Sequence, residues 1–400
     1  MKFALISQVV PPSWSGQAVL IRRLLDGVEP AAYCLLISDN GYYRDGRTGR
    51  LGATYHHLPR LPRIDWGRGS RWGLAAAELL NAVIGVGLRT LQIHRLVRAE
   101  GCAAIVAFTG DFHDAPAGYL TSRSLQLPFY LYVCDYYSVR EVFDPARRRL
   151  APRLERRILR GATGVICGNE TLRDALRARY AIEPVVIHHP SGLTRYLKEP
   201  RPQALPPSRG IRIVYTGTIY NHAHLDAVQN LLVAIDRLDG PPAALHVYSG
   251  QSEDELDGLG LHGRVVLHPH EPPEAIAAVQ AAADVLFLPL AFRSLYPEVI
   301  RTSSPMKFGD YLAAGGPILV HAPPGSFISE YCRRHDCGFV VDEPDPARLG
   351  RALEELAADE SLRARLIRNA RERAAKDFSP ELARERFAAL IGLDEGHQGR

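Results

Sequence analysis

Short apolar runs recur along the chain, separated by longer stretches in which apolar positions return every three or four residues. The short runs read as buried strands and the longer stretches as helices laid against a sheet. Alternation of the two over the whole length implies parallel β-α-β units and doubly wound α/β sheets. In the first half the pattern predicts strands at Lys2–Ile6, Tyr33–Ser38, Ala103–Phe108, Phe129–Val133, Gly164–Cys167 and Pro184–Ile187. Helices are predicted over Gln17–Gly27, Gly73–Glu100, Ala115–Leu125, Pro145–Arg160 and Glu170–Tyr180. Strands recur in the second half at Ile211–Tyr215, Leu245–Ser249, Val265–His268, Val285–Pro289, Ile318–His321 and Phe339–Val341. The proline-rich segment between the halves reads as a linker. The predicted division is a first domain over 1–189, a linker over 190–209, a second domain over 210–378 and a C-terminal helical segment over 379–400.

Two segments break this pattern. Asp39–Trp72 holds many Arg, Gly, Tyr and His residues without a period, the mark of an irregular, functional or disordered stretch. Leu79–Leu88 is apolar except for one polar residue and has basic flanks. A buried core helix is the default reading, and peripheral contact with a membrane is the alternative.

With 400 residues, 46 % hydrophobic and 23 % charged, the chain is large enough for two cores. After Lys2 the apolar run is too short for a secretory signal, and no 18-residue apolar span is present, so a cytosolic protein is expected. Six cysteines show no Cys-x-x-Cys and no spacing with histidine that would form a zinc site; no metal and no disulfide scaffold is expected, only core thiols. The net charge of +4 conceals a first half at +10 and a second half at −6. A basic first half suits an anionic partner, such as a phosphorylated acceptor or the inner face of a membrane, or is simply an arginine-rich solvated surface. The arginines of 147–160 lie at helical spacing without interleaved aromatics, and no nucleic-acid module is evident.

The densest chemistry sits at Ser304-Pro-Met-Lys-Phe-Gly-Asp-Tyr-Leu-Ala-Ala-Gly-Gly-Pro317. Serine is a preferred N-cap and proline a preferred first helical residue. The Met306–Ala314 run is helical, and Gly315 or Gly316 supplies a left-handed cap before Pro317. Such a helix start presents unpaired N–H groups that favour an anion. Lys307 stands in that first turn, where the dipole disfavours a cation unless an anion is bound. It is one of 4 lysines against 44 arginines, a compact ammonium suited to a phosphate. Asp310 lies one turn further on the same face, and an ordinary Lys307–Asp310 surface pair is the competing reading.

These residues resemble the donor-site signature of GT-B glycosyltransferases, in particular the retaining family 4 enzymes, whose form is Ser-Pro-x-Lys-x-x-Glu-Tyr-x-Ala-x-Gly-x-Pro. The resemblance implies two facing Rossmann-like domains with the site in the cleft between them. It also implies a C-terminal helix returning to the first domain and a nucleotide-diphosphate sugar as co-substrate, with no further cofactor. Ser303, Ser304 and Lys307 would hold the donor diphosphate and Asp310 the ribose hydroxyls. Asp310 is one methylene shorter than the family's glutamate. Thr302 stands where many relatives carry an acid that reads the sugar, so sugar identity does not carry over.

Other segments take their roles from the same resemblance. Val9–Ala18, with Gly16 and Gln17, is similar to the loop that approaches the donor phosphates from the first domain. Thr216–His224 corresponds to a turn that cradles the diphosphate, here through Gly217 and Thr218 without the usual cation. His222 and His224 could contribute, although solvated loop histidines are the simpler reading. His268–Glu274 is similar to the nucleobase loop, with His270 and Glu271 in position. On the acceptor side, Cys134 stands where the family has a histidine, which leaves Asp111, His113 and Asp135 as the polar groups placed to take over catalytic work. Each has a plainer role available, a turn acceptor or helix cap for the aspartates and a structural histidine for His113.

The first expectation is thus a metal-independent, retaining glycosyltransferase acting on a small-molecule, glycan or lipid-linked acceptor. An inverting transferase or sugar-nucleotide epimerase on the same fold, and a catalytically silent nucleotide-sugar binder, remain open beside it.

Overall fold

A computed structural model of the chain describes residues 1–13, 15–38, 49–63, 71–138, 145–192 and 210–393. They form two compact units, Met1–His188 with Ala383–Arg400, and His189–Leu382. Most of the predicted linker 190–209 and much of the irregular stretch after Asp39 lie outside the described residues.

The first unit is built on a sheet of seven strands: β1 (Phe3–Ser7), β2 (Tyr33–Ser38), β3 (Thr54–Leu58), β4 (Ala104–Phe108), β5 (Phe129–Val133), β6 (Gly164–Cys167) and β7 (Val185–Val186). Their order is β3-β2-β1-β4-β5-β6-β7, every neighbouring pair parallel, with Phe3 opposite Tyr33 on one side and Ala104 on the other. Every residue of β1, β2, β4 and β5 is buried, as expected of parallel strands covered on both faces. The helices are α1 (Gly16–Leu25), α2 (Arg71–Ala99), α3 (Asp114–Leu125), α4 (Pro145–Gly161) and α5 (Glu170–Tyr180).

Two expectations fail here. Thr54–Leu58 is a strand inside the stretch read as irregular. Its Thr-Tyr-His-His-Leu sequence has no apolar run because it is the sheet edge, with only Leu58 fully buried. Leu79–Leu88 is not simply core either: Leu79, Leu80, Val83 and Ile84 are exposed, as is Leu91 further along α2, while Ala82 and Val86 on the opposite face are buried.

The second unit repeats the design with β8 (Ile211–Thr216), β9 (Ala243–Tyr248), β10 (Val266–His268), β11 (Val285–Pro289), β12 (Ile318–His321) and β13 (Phe339–Val341). All are parallel in the order β10-β9-β8-β11-β12-β13. Its helices are α6 (Asn221–Asp236), α7 (Glu253–Asp257), α8 (Pro273–Ala281), α9 (Pro297–Thr302), α10 (Met306–Ala314), α11 (Phe327–His335), α12 (Pro346–Ala358) and α13 (Glu360–Asp377). A last helix, α14 (Pro380–Ile391), crosses the division between the units; its Phe387 ring meets Phe3 edge-on at 6.3 Å. No described helix is long and apolar enough to cross a membrane.

Each sheet reverses its strand order at one point, between β1 and β4 and between β8 and β11. Open α/β sheets bind ligands beyond the C-terminal strand ends at such reversals. The loops after Ser7, Phe108 and Thr216 are therefore the positions to inspect.

Candidate functional site

In the second unit, α10 is held against the end of β8 by its own buried face. Phe308 packs edge-on against Phe327, Tyr331 and Phe378. One turn further, the buried Tyr311 hydroxyl accepts the Thr216 N–H at 2.9 Å, and Gln280 donates to the Thr216 hydroxyl at 3.0 Å. Burial pushes the Tyr311 pKa up to about 12, so the group stays a neutral phenol. This clamp sets the first turn of α10 beside the loop that leaves β8.

Lys307 occupies that first turn. Its Nζ lies 3.6 Å from the centre of the Tyr215 ring, a cation–π contact. A Cβ on Gly217, whose φ is +110°, would come within 3.3 Å of the same nitrogen; glycine here keeps the space in front of the ammonium open. The Lys307–Asp310 pair of the competing reading does not form. Asp310 instead accepts the Gly192 N–H at 2.7 Å, and among the described residues no carboxylate offsets the desolvation that pulls the Lys307 pKa down to about 7.

The cap also differs from expectation. Pro305, not Ser304, precedes the helix, and no side chain caps it. A proline there brings the right φ but no acceptor, so the first-turn N–H groups keep no side-chain partner. The Ser304 hydroxyl is shielded from solvent and has no hydrogen-bond partner, and the same holds for Ser191. His189 donates from Nδ1 to the Ser304 carbonyl at 2.9 Å, fixing that turn. Ser303 closes α9, and the Thr302 hydroxyl donates back to Glu298 within that helix at 2.8 Å.

Nearby, α6 begins at Tyr220, again with no side-chain cap. His224 is buried in its first turn rather than solvated in a loop. Burial, then Lys307 and His222, hold its pKa well below the usual value. Its Nδ1 accepts the Tyr220 N–H at 3.2 Å, so the ring is neutral with its proton on Nε2. His222 is partly exposed. Thr218 is fixed through its carbonyl, which accepts the Tyr215 hydroxyl at 2.8 Å. His270 and Glu271 follow β10; a Cβ on Gly250, which follows β9, would lie 4.0 Å from that of His270. Gly217, Thr218, Ser303, Ser304 and Lys307 are thus brought to one end of the second sheet, with Asp310 one turn behind.

In the first unit, Gln17 donates to the Ser7 hydroxyl at 2.9 Å, and Ser15, just before Gly16, caps α1 by accepting the Ala18 N–H at 3.2 Å. A Cβ on Gly110 would lie 3.1 Å from that of Gln8 and 3.9 Å from Gln17 Nε2. The loops after β1 and β4 therefore meet. Asp111 is a turn acceptor: one oxygen takes the N–H groups of His113 at 3.1 Å and Asp114 at 2.7 Å. Burial acts to raise its pKa, but hydrogen bonding and charge from His113, the Asp114 N–H and Arg89 outweigh this, and the net direction is down. Asp114 goes the other way, to about 7, through burial and the Asp111 charge against Arg89 and the Ser38 hydroxyl that donates to it. Arg89 Nε stands 3.1 Å from an Asp114 oxygen, an electrostatic contact rather than a well-directed hydrogen bond. Asp135 is exposed after β5, and the half-buried Cys134 donates its N–H to Thr109 at 3.0 Å.

Asp111 and His113 line a cavity of about 330 Å³ with Arg60, Arg63, Arg89 and Arg147; Asp135 is not part of it. A larger depression of about 550 Å³, where Arg173, Glu183 and Arg386 meet, holds none of the candidate residues. Sequence reading missed Arg89, Asp114, His189, Ser191, Tyr215 and Tyr311. The arginine that directly follows the apolar stretch of α2 and a tyrosine inside the α10 motif were the available signals.

Two parallel sheets of this order place the chain in the GT-B class of folds. Sucrose-phosphate synthase from Thermosynechococcus elongatus superposes with a TM-score of 0.69 at 16 % identity over 98 % of both chains. Anabaena HepE, in a complex with UDP and glucose, gives 0.65 at 15 % over 98 % of this chain and 99 % of its own. WaaG, a glycosyltransferase involved in lipopolysaccharide biosynthesis, gives 0.63 at 15 % over 98 % and 100 %. No curated protein matches the sequence. Residues 198–373 match the family Glycosyl transferases group 1, so this part of the chain is similar to the domain of that family, which with the fold supports a glycosyltransferase.

Lys307 sets a test of the site itself. Its folded-state pKa lies below the ordinary 10.5, so the unfolded chain binds the proton more tightly. The cost to stability is fully present below pH 7 and fades as pH rises from about 7 towards 10.5. Lys307→Met should stabilise the ligand-free protein by about 1–2 kcal/mol at pH 6, with a smaller gain at pH 9. Urea unfolding at both pH values measures this; equal destabilisation at each would contradict it.

Proposed function

We propose that the enzyme moves a sugar from a nucleotide-diphosphate donor to an anionic acceptor, with retention of anomeric configuration and without a metal in the chemical step. The observation that carries the proposal is a partly buried ammonium at a side-chain-uncapped helix start, with no carboxylate among the described residues to neutralise it. A diphosphate would supply the missing charge, taking Lys307 Nζ, the Ser303 and Ser304 hydroxyls and the Thr218 N–H, whereas the Gly217 N–H expected to join them is already given to the Tyr248 carbonyl at 2.8 Å. The complexes of Anabaena HepE with UDP and UDP-glucose support a donor of this kind. Asp310 would serve the ribose hydroxyls, since a carboxylate that accepts one N–H keeps further lone pairs. His270 and Glu271 would border the nucleobase, and Gly16 and Gln17 would meet the phosphates.

Breaking the glycosidic bond places negative charge on the leaving phosphate, and donors already oriented towards it stabilise that charge most. Binding an anion also favours the charged lysine, so the ammonium is fully formed where it is needed. The leaving oxygen can then accept the acceptor proton on the same face, as in the retaining family. Asp111 is tied to two backbone N–H groups and held acidic, which makes it a poor base; this favours retention over the inverting alternative. Four arginines around the first-unit cavity favour an acceptor with a phosphate or carboxylate, with His113 positioned to orient it.

If the donor diphosphate does this work, Lys307→Ala should cost far more activity than Cys134→Ala, which should lose less than about tenfold, and turnover should survive EDTA. An NMR coupling constant in the first product should show the donor's anomeric configuration; an inverted linkage would overturn the mechanism and point to His113 or Asp135 as base.

The exposed leucine, valine and isoleucine face of α2 supports a second element, peripheral contact with an anionic membrane. The protein should co-sediment with phosphatidylserine-containing vesicles at low salt and less so as salt screens the attraction. No binding at low ionic strength would leave a soluble acceptor only.

A further inference from the structure

At the opposite end of the first sheet lies a group of side chains with no part in the proposed chemistry. Cys34 is the second residue of β2 and fully buried. His56 stands in β3, paired with Leu36, two residues along from Cys34, so alternation puts both side chains on one face. Glu100 follows the last residue of α2. The helix ends there in a Schellman turn, with Gly101 at φ +62°, its N–H on the Arg98 carbonyl at 3.2 Å and the Cys102 N–H on the Val97 carbonyl at 3.0 Å. That turn brings Cys102 back to the sheet, where Ala103 bonds to the Lys2 carbonyl at 2.8 Å.

The donor atoms of Cys34, His56 and Glu100 all lie within 4.8 Å of one another, the one such group among the described residues. Glu100 Oε1 is 2.7 Å from His56 Nε2, its second oxygen pairs with Lys2, and the sulfurs of Cys34 and Cys102 are 3.6 Å apart. Tetrahedral zinc with Zn–S bonds of about 2.3 Å separates two thiolate sulfurs by roughly 3.8 Å.

We propose a structural divalent-metal site here, of Cys34, His56 and Glu100, with Cys102, which lies beside Cys34 but outside that group, moving in as the fourth ligand, and with Zn²⁺ the ion its chemistry fits best. Two thiolates with one imidazole and one carboxylate form a borderline-soft set that favours zinc over magnesium or calcium. A cation is further favoured at the C-terminal end of α2 by the helix dipole. The cysteines are 0 % and 7 % exposed, whereas His56 and Glu100 are partly exposed, which leaves a way in. On binding, two thiol protons pass to solvent and the His56–Glu100 contact gives way to coordination. Lys2 remains on the far carboxylate oxygen and orients it. The cluster sits at the N-terminal ends of β1, β2 and β4, a strand length of about 15 Å from the loops after Ser7 and Phe108. Its work is therefore to tie β2, β3 and the end of α2 together.

The test uses tag-free, full-length protein, stripped with EDTA under reducing conditions and then given Zn²⁺. One equivalent should remain after gel filtration, and the melting temperature should rise by several degrees. Co²⁺ in its place should give a thiolate-to-metal charge-transfer absorption. Cys34→Ser and His56→Ala should lose both effects, and Lys307→Met should keep them. Where Cys34→Ser does not fold, Glu100→Ala retains both thiols and should weaken zinc binding at least tenfold. A folded, stripped chain that takes up no zinc and shows no charge-transfer band would overturn the site and leave a Lys2–Glu100–His56 ion network. So would a band that persists in folded Cys34→Ser or unchanged affinity in Glu100→Ala.

Discussion

A partly buried ammonium with no carboxylate partner among the described residues governs the second unit. Lys307 rests on the Tyr215 ring, and burial alone brings its pKa to about 7. Left without an anion, this arrangement costs stability, and such costs collect at functional sites. The Tyr311–Thr216–Gln280 clamp, the absent side chain at Gly217 and the His189–Ser304 bond all serve to hold it. The neutral, buried His224 is consistent with a positive field from the same group.

The first unit solves a different electrostatic problem. Asp111 and Asp114 lie three residues apart and their pKa values are driven in opposite directions. Asp111 is stabilised as a carboxylate by N–H donors, whereas Asp114 is paired with Arg89 inside the unit. Separation of neighbouring acids in this way is a means of fixing roles. Here it leaves the cavity wall dominated by arginine, in keeping with the +10 charge of the first half.

Most of the fold was legible because fully buried parallel strands write themselves as apolar runs; Phe129–Val133, Val285–Pro289 and Ile318–His321 fall where the pattern placed them. The edge strand Thr54–Leu58 was not, since half-exposed polar residues carry no such signal. Met306–Ala314 and its Gly315 cap were readable, but the choice of Pro305 over Ser304 at the helix start depends on how His189 and Ser191 pack, far off in sequence. Exposure of Leu79 and Val83 was hidden for a related reason: a helix period shows a face, not what covers it. The cluster around Cys34 is the extreme case, as β2, β3 and the turn after α2, up to 68 residues apart, supply its side chains and no local spacing reveals them.

The most direct measurement is the proton balance of nucleotide binding. Calorimetric titration of UDP at pH 8, in buffers of different ionisation enthalpy, reports protons taken up per molecule bound. Lys307 is mostly neutral at that pH in the free protein, and a diphosphate would recharge it. Uptake of most of one proton by the wild type and none by Lys307→Met is the expected result. Binding without proton uptake, or equal uptake in both proteins, would contradict the central role given to this lysine.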